Sequence, residues 1–364
     1  MRGRSRARRP LSVAASIAIV VGVFWYFLPQ FATITDVWSS IRAMTWPQVV
    51  VLLAVALWNV ASYCLVLVHS LPGLTFGQAF VVTQSSTAVS NTLPGGSAVG
   101  IGLAYGMYTS WGFSRSRATV SVLVSGIWTN FGKLGTPVLA LALLALEGRH
   151  SLARLVAGLL GIVGLAGAVG VFALMLRGET TARRAGQAAA RVVAPLFRLL
   201  HRPPPSGWER ATVSFRDRTI LLLRTRWHWL TAATVVSQAS LFALLLLSLR
   251  YVGVGAGVGD GAVGWVEVLA VFAFARLVTA VPFTPGGLGI VEIALIAGLT
   301  AAGGAGAPVA AGVLMYRALS HVLPIPLGVV TYVYWRRSTR WRRPAGAAPR
   351  PVPVPVPVPE QTVS

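Results

Sequence analysis

The chain has 364 residues, 55% of them hydrophobic and 11% charged, with a mean hydropathy of +0.70 and a formal net charge of +22. A soluble domain carries about twice that charged fraction, and the single cysteine, Cys64, excludes a disulfide framework or a cysteine-built metal site within one chain. So basic a chain invites a nucleic-acid reading, but the Arg residues flank apolar blocks, which points to the membrane and argues against that partner.

Taken in chain order, residues 1–10 are a basic segment with five Arg. The apolar run Leu11–Leu28 follows. Arg8-Arg9 ahead of it loosely resembles a twin-arginine export signal, but no convincing cleavage site follows, and the run reads as a retained first span. Val49–Val68 is the next block of the ~20 residues that cross a ~30 Å hydrocarbon core. The stretch 76–110 is apolar but interrupted at Leu93-Pro94-Gly95-Gly96. Its first arm, residues 83–92, has eight polar side chains in ten. Such an arm cannot face lipid, where unsatisfied polar groups are costly, so it is expected inside protein or against a wet cavity.

Thr119–Leu146 is a long span in which Ser121, Ser125, Thr129 and Lys133 recur every four residues, one stripe on one helix face. Leu152–Leu176 is a further span. The loop 177–228 holds eleven Arg, four of them (Arg177, Arg184, Arg191, Arg198) at seven-residue intervals; Pro195 and Pro203–Pro205 limit any helix there. Trp229–Leu249 is the fifth span. A glycine-alternating loop follows, without the strand–turn–helix setting of a nucleotide site. The stretch 263–302 is interrupted at Thr284-Pro285-Gly286-Gly287, with Arg276 before the break and Gly289 and Glu292 after it. Val309–Trp335 is the last span, carrying Arg317 and His321. Residues 336–364 form an Arg/Pro-rich tail ending in alternating Pro and Val, an extended polyproline-like segment.

Placing the three Arg clusters (1–10, 177–228 and 335–350) on the cytoplasmic side puts both termini in the cytoplasm. It also requires that 76–110 begin and end on one side, and 263–302 on the other. Both are then hairpins turning at Pro-Gly-Gly, where Pro removes a donor and Gly permits positive φ. The expected fold is an all-α integral membrane domain over residues 11–335, with about six full spans and two broken hairpins in an inverted repeat. Secondary transporters bind substrate where paired broken segments meet.

Lys133, Arg276 and Arg317 each carry an insertion cost of about 2.5–3.5 kcal/mol; Glu292 is the acid near the second break. Ion pairing or snorkelling would account for each singly. Together they make a cavity with excess positive charge, to which helix N-termini after each break add, suited to an anionic lipid head group. The expected partners are membrane lipids of anionic type, with the basic loop as a further place for a soluble partner; no cofactor or metal is expected.

The string Pro285-Gly286-Gly287-Leu288-Gly289-Ile290-Val291-Glu292, preceded by Arg276, resembles the hallmark of the lysylphosphatidylglycerol synthase transmembrane, or flippase-like, family. Leu93-Pro94-Gly95-Gly96 resembles its first block, and Met315-Tyr316-Arg317 with Pro324 its last span; the similarity covers roughly residues 10–340. The resemblance implies a cell-membrane module that binds or translocates lipid. In full-length synthases a soluble aminoacyl-transferase domain follows this module, and these 364 residues hold none, so the expectation is a non-enzymatic protein. A membrane-embedded transferase on a lipid-linked substrate, and an accessory anchor for a soluble lipid-modifying enzyme, stand as alternatives.

Overall fold

The computed structural model describes residues 34–93, 95–147, 152–181, 183, 184, 187, 191, 208–256, 261–279 and 287–342. The first span, Leu11–Leu28, the break residues Pro94, Pro285 and Gly286, most of the basic loop and the tail beyond 342 lie outside them. The described residues form eleven α-helices and a π-helical turn. They are α1 (Ile34–Arg42), α2 (Trp46–Ser70), α3 (Phe76–Thr92), α4 (Gly96–Ser110), α5 (Arg115–Leu146), α6 (Leu152–Arg177), α7 (Trp208–Tyr251), α8 (Trp265–Val278), α9 (Ile290–Ala301), α10 (Gly306–Arg317), the π turn Ala318–Val322 and α11 (Pro324–Arg337).

Among the described residues, five stretches are long and apolar enough to cross a membrane: 46–70, 115–146, 158–177, 212–251 and 306–337. They contain or largely overlap the five described spans expected from the sequence. The window of 158–177 is 0% buried within the protein. Leu159, Leu160, Val163 and Val171 all project outward there, a surface that only lipid makes inexpensive. The molecule is a multi-pass, all-helical membrane protein.

Local sequence chemistry sets the helix starts. At α2, Gln48 Oε1 accepts from Thr45 N at 2.8 Å; at α3, Thr75 and Gln78 form a full capping box, in which Gln78 Oε1 accepts from Thr75 N at 3.0 Å and Thr75 Oγ1 accepts from Gln78 N. Such reciprocal bonds satisfy two otherwise orphaned backbone donors. Ser114 caps α5 by accepting from Arg117 N.

Two helices depart from the sequence expectation. The span beginning near Trp229 is the second half of α7, which starts at Trp208; at ~1.5 Å per residue its 44 residues run well past the thickness of a bilayer core. The end of the basic loop, residues 208–228, is thus helical, and Arg216 Nε donates to Leu176 O at 2.9 Å, capping the C-terminus of α6. The last span is α10 and α11 joined through the π turn, in which Leu323 N donates to Ala318 O at 2.8 Å. Pro324 has no N–H to give and crowds the preceding carbonyls, so the helix widens by one residue before continuing.

The core is built from α2, α5 and α7–α10, with Leu244, Leu245, Leu249, Phe272, Leu295 and Leu299 at its centre. A second cluster centres on Met107, Tyr108 and Trp111 of the α3–α4 pair. Helices α3 and α11 pack closely, as do α2 with α7, and α8 with α5. Beyond α11 the chain turns back. Trp341 meets Trp111 edge-on at 5.8 Å and stands against Gly77 at the entry of α3, while Trp335 Nε1 donates to Ser110 Oγ at 3.1 Å.

Candidate functional site

α3 ends at Thr92 and α4 begins at Gly96, with Gly95 at φ +65°, a left-handed conformation that costs glycine little. The two helices lie against each other because Gly96 and Gly100 have no side chain: a Cβ on Gly100 would come within 2.7 Å of the Ser86 carbonyl oxygen. At the second break Gly287 and Gly289 also hold positive φ, +71° and +84°, ahead of α9.

Glu292 has one assignment on each oxygen. Oε2 accepts from Gly289 N at 2.8 Å, capping its own helix, and Oε1 accepts from Arg317 Nε at 2.5 Å. The Glu292 side chain is 3% exposed and that of Arg317 11%. Among the cations that the sequence singled out, Arg317 is therefore the partner of Glu292, and the pair ties α9 to the end of α10.

Arg276 and Arg317 both line a cavity of about 320 Å³, together with Gly287 of the second break and Ser97 just after the first. Arg276 Nη2 donates to Gln238 Oε1 at 3.1 Å and its guanidinium lies 5.8 Å from the Phe272 ring, whereas its Nε has no hydrogen-bond partner among the described residues. Lys133 is not part of the lining; it stands one turn beyond Thr129, which is, and within Coulombic range of Arg276. Ser121 of the same stripe is buried instead against Ser70 Oγ at 2.7 Å. The stripe is thus divided between scaffold and cavity.

The polar arm of α3 supplies a wall. Thr83, Gln84, Thr87 and Asn91 line the cavity. Two side chains of this arm reach α11 and the π turn: Ser85 Oγ and Thr331 Oγ1 lie 2.9 Å apart, and Asn91 Nδ2 donates to His321 O at 3.0 Å, whereas Ser86 and Thr92 donate to carbonyls of their own helix and Ser90 to Gly96 O. Among the described residues, three lining side chains keep a polar atom without a hydrogen-bond partner while nearly wholly buried: Thr83 Oγ1 (6% exposed), Gln84 Oε1 (1%) and His321 Nε2 (4%). Buried polar atoms are normally satisfied, so a water or a ligand is the expected partner of these.

Sequence reading missed the wall from α2 and α7. Asn59 Nδ2 donates to Ser237 O at 2.8 Å and Ser240 Oγ at 2.9 Å, fastening the two spans, and Thr234, Ser237 and Gln238 face the cavity. The signal was there: an Asn and a Gln inside apolar spans are as informative as a charge.

A family model described as "Lysylphosphatidylglycerol synthase TM region" matches residues 13–328. No curated protein matches the chain.

Proposed function

Since the chain belongs to the lysylphosphatidylglycerol synthase transmembrane family, we propose that it is a non-enzymatic, flippase-like protein that moves an anionic or polyprenyl-linked lipid between leaflets. The observation that carries this reading is the polar cavity holding Arg276 and Arg317 between the two helix breaks. Three cations, Lys133, Arg276 and Arg317, stand there or next to it against one carboxylate, Glu292, which is already committed to Arg317. A phosphate would supply the missing negative charge, and Arg is suited to hold it by paired N–H donors.

An inverted repeat adds the means of exposing such a site to each leaflet in turn. The packing favours it: α3, before the first break, lies on the span that follows the second, while α8, before the second, lies on the span that follows the first. The two preceding spans, α2 and α7, pack on each other. This reading carries the cytoplasmic placement of both termini and of the basic loop. It is tested by accessibility. In a Cys64→Ala background, cysteine at Ser114 should react only with a cytoplasmic label and cysteine at Ala305 only with an external one. Labelling of both from one side would overturn the repeat.

Transport is tested in liposomes reconstituted with the purified protein and fluorescent lipids. Arg276→Gln should slow the crossing of anionic lipid at least about tenfold, equivalent to ~1.4 kcal/mol, with melting in detergent nearly unchanged. Wild-type rates in that variant, or no crossing of any lipid by the native protein, would end the proposal.

A further inference from the structure

The last turn of α2 meets α7 away from the cavity, and the unused polar groups there are donors. We propose that this seam holds a second, peripheral lipid: an anionic phospholipid of the adjoining leaflet, gripped by its phosphate between His69, Arg226 and the indoles of Trp227 and Trp229. The site stands apart from whatever the cavity binds and from whether lipid crosses.

Three observations carry it. The first is the aromatic cluster. The His69 ring stacks on Trp229 with centroids 5.7 Å apart and planes at 11°, and His228 stands 5.4 Å from Trp229 and 6.0 Å from Trp227. Both indoles are 56% exposed. Tryptophan at the end of an apolar span, with one wet edge, belongs to the head-group level. Deeper in the membrane, Leu65 lies one turn before His69 and Val236 two turns after Trp229, on the same helix faces. Both are exposed, an apolar track for acyl chains.

The second is the set of free donors. His69 Nδ1 is buried with no hydrogen-bond partner among the described residues. An orphaned lone pair is tolerated better than an orphaned N–H, so the neutral ring keeps its proton on Nε2 and donates it from there. Trp128 Nε1 donates to Thr231 Oγ1 at 3.0 Å, whereas the Trp227 and Trp229 N–H groups bond to no described residue. The third is charge. The charges felt at His69 are those of Arg226 and His228, with no carboxylate among them. Arginines that brace the fold nearby are visibly tied: Arg117 Nη2 to Pro72 O, and Arg216 to Leu176 O and Asp217 Oδ1. Arg226 makes no hydrogen bond or ion pair with a described residue. Donors under positive charge, with a guanidinium among them, select a phosphate. Such a lipid would clamp α2 to α7, the same pair that Asn59 fastens to Ser237 and Ser240.

Short-chain phosphatidylglycerol and phosphatidic acid are titrated against the full chain in detergent, with melting temperature as the readout, in an Arg276→Gln background that weakens the cavity. Both should stabilise, and phosphatidylcholine should not. His69→Phe keeps a ring against Trp229 and removes its nitrogens; Arg226→Gln removes the charge. Each should raise the lipid concentration needed about tenfold, and Arg226→Lys should recover part of the loss. Should Arg226→Gln fold poorly, Trp229→Phe at its exposed position removes an N–H in its place, with the same loss expected. Native affinity in His69→Phe and in the second variant would overturn the site. Equal stabilisation by phosphatidylcholine would overturn the selection of an anionic lipid, and equal stabilisation by soluble glycerol 3-phosphate would overturn the lipid. In liposomes, His69→Phe should leave the crossing of anionic lipid within about twofold of native. Absence of crossing in the native protein would end the transport reading and leave this binding result standing.

Discussion

Glu292→Gln should cost the protein about 3–5 kcal/mol, the usual penalty for removing one partner of a buried ion pair. The substituted amide still caps α9, because its oxygen accepts from Gly289 N as the carboxylate does. What is lost is the charge facing Arg317, in a place where the two side chains are 3% and 11% exposed. Arg317→Gln should be at least as damaging, since it leaves the carboxylate buried without its cation. The double variant should recover most of the loss: two neutral side chains replace two charges, and nothing ionised remains to be desolvated. Folded yield and melting temperature in detergent across the four proteins give the coupling. Additive losses in the double variant would show that the pair is not a unit. Transport of anionic lipid should stay low in the double variant even as stability returns, because a cation of the cavity is still gone. That split separates Arg317 as scaffold from Arg317 as head-group ligand.

Gly328→Val is expected to be the most damaging change on α11. A Cβ at this position would overlap the Ala88 Cβ and the Gln84 carbonyl oxygen across the helix contact. Neither neighbour is the loose end of a flexible side chain, so the helices must separate. Separation breaks the Ser85–Thr331 and Asn91–His321 bonds and moves Gln84 out of the cavity wall. Inside a membrane this matters more than in water, because close backbone approach at small residues is a main source of helix–helix attraction. Overpacking of this kind costs about 1–3 kcal/mol even where side chains relax, and more where backbone is struck. Gly102→Ala is the control: α4 has open space there, and alanine is the better helix former by about 1 kcal/mol. The first variant should fail to yield folded protein while the second melts at or above the native temperature. A native melting curve for Gly328→Val would refute the α3–α11 spacing.

Much of this was legible in the residues because a bilayer imposes hard rules. Apolar runs of the right length, such as Val49–Val68, become spans since nothing else buries them. The polar arm at 83–92 had to find protein or water, and it packs on α11 and lines the cavity. Glu292 and Arg317 were recognisable as intramembrane charges, but which cation met the acid depends on how α9 approaches α10, which no local pattern encodes. The same holds for Lys133. Its stripe predicts a face, and a face is shared along its length between neighbours, Ser70 at one end and the cavity nearer the other. The π turn was hidden because Pro324 announces a disturbance without saying whether the helix kinks, ends or widens. The helical start of α7 was hidden for a different reason: residues 208–228 carry charge on too many sides to show an apolar stripe, and they are helical as the continuation of a span.

Trp341 gives the molecule a mechanical property. By wedging against Trp111 and Gly77, it joins the exit of α11 to the entry of α3, whose bodies are already pressed together. The two helices and this joint form a closed lever. Through the Ser85–Thr331 and Asn91–His321 bonds, a shift of α11 is also a shift of the cavity wall that Gln84 and Asn91 form.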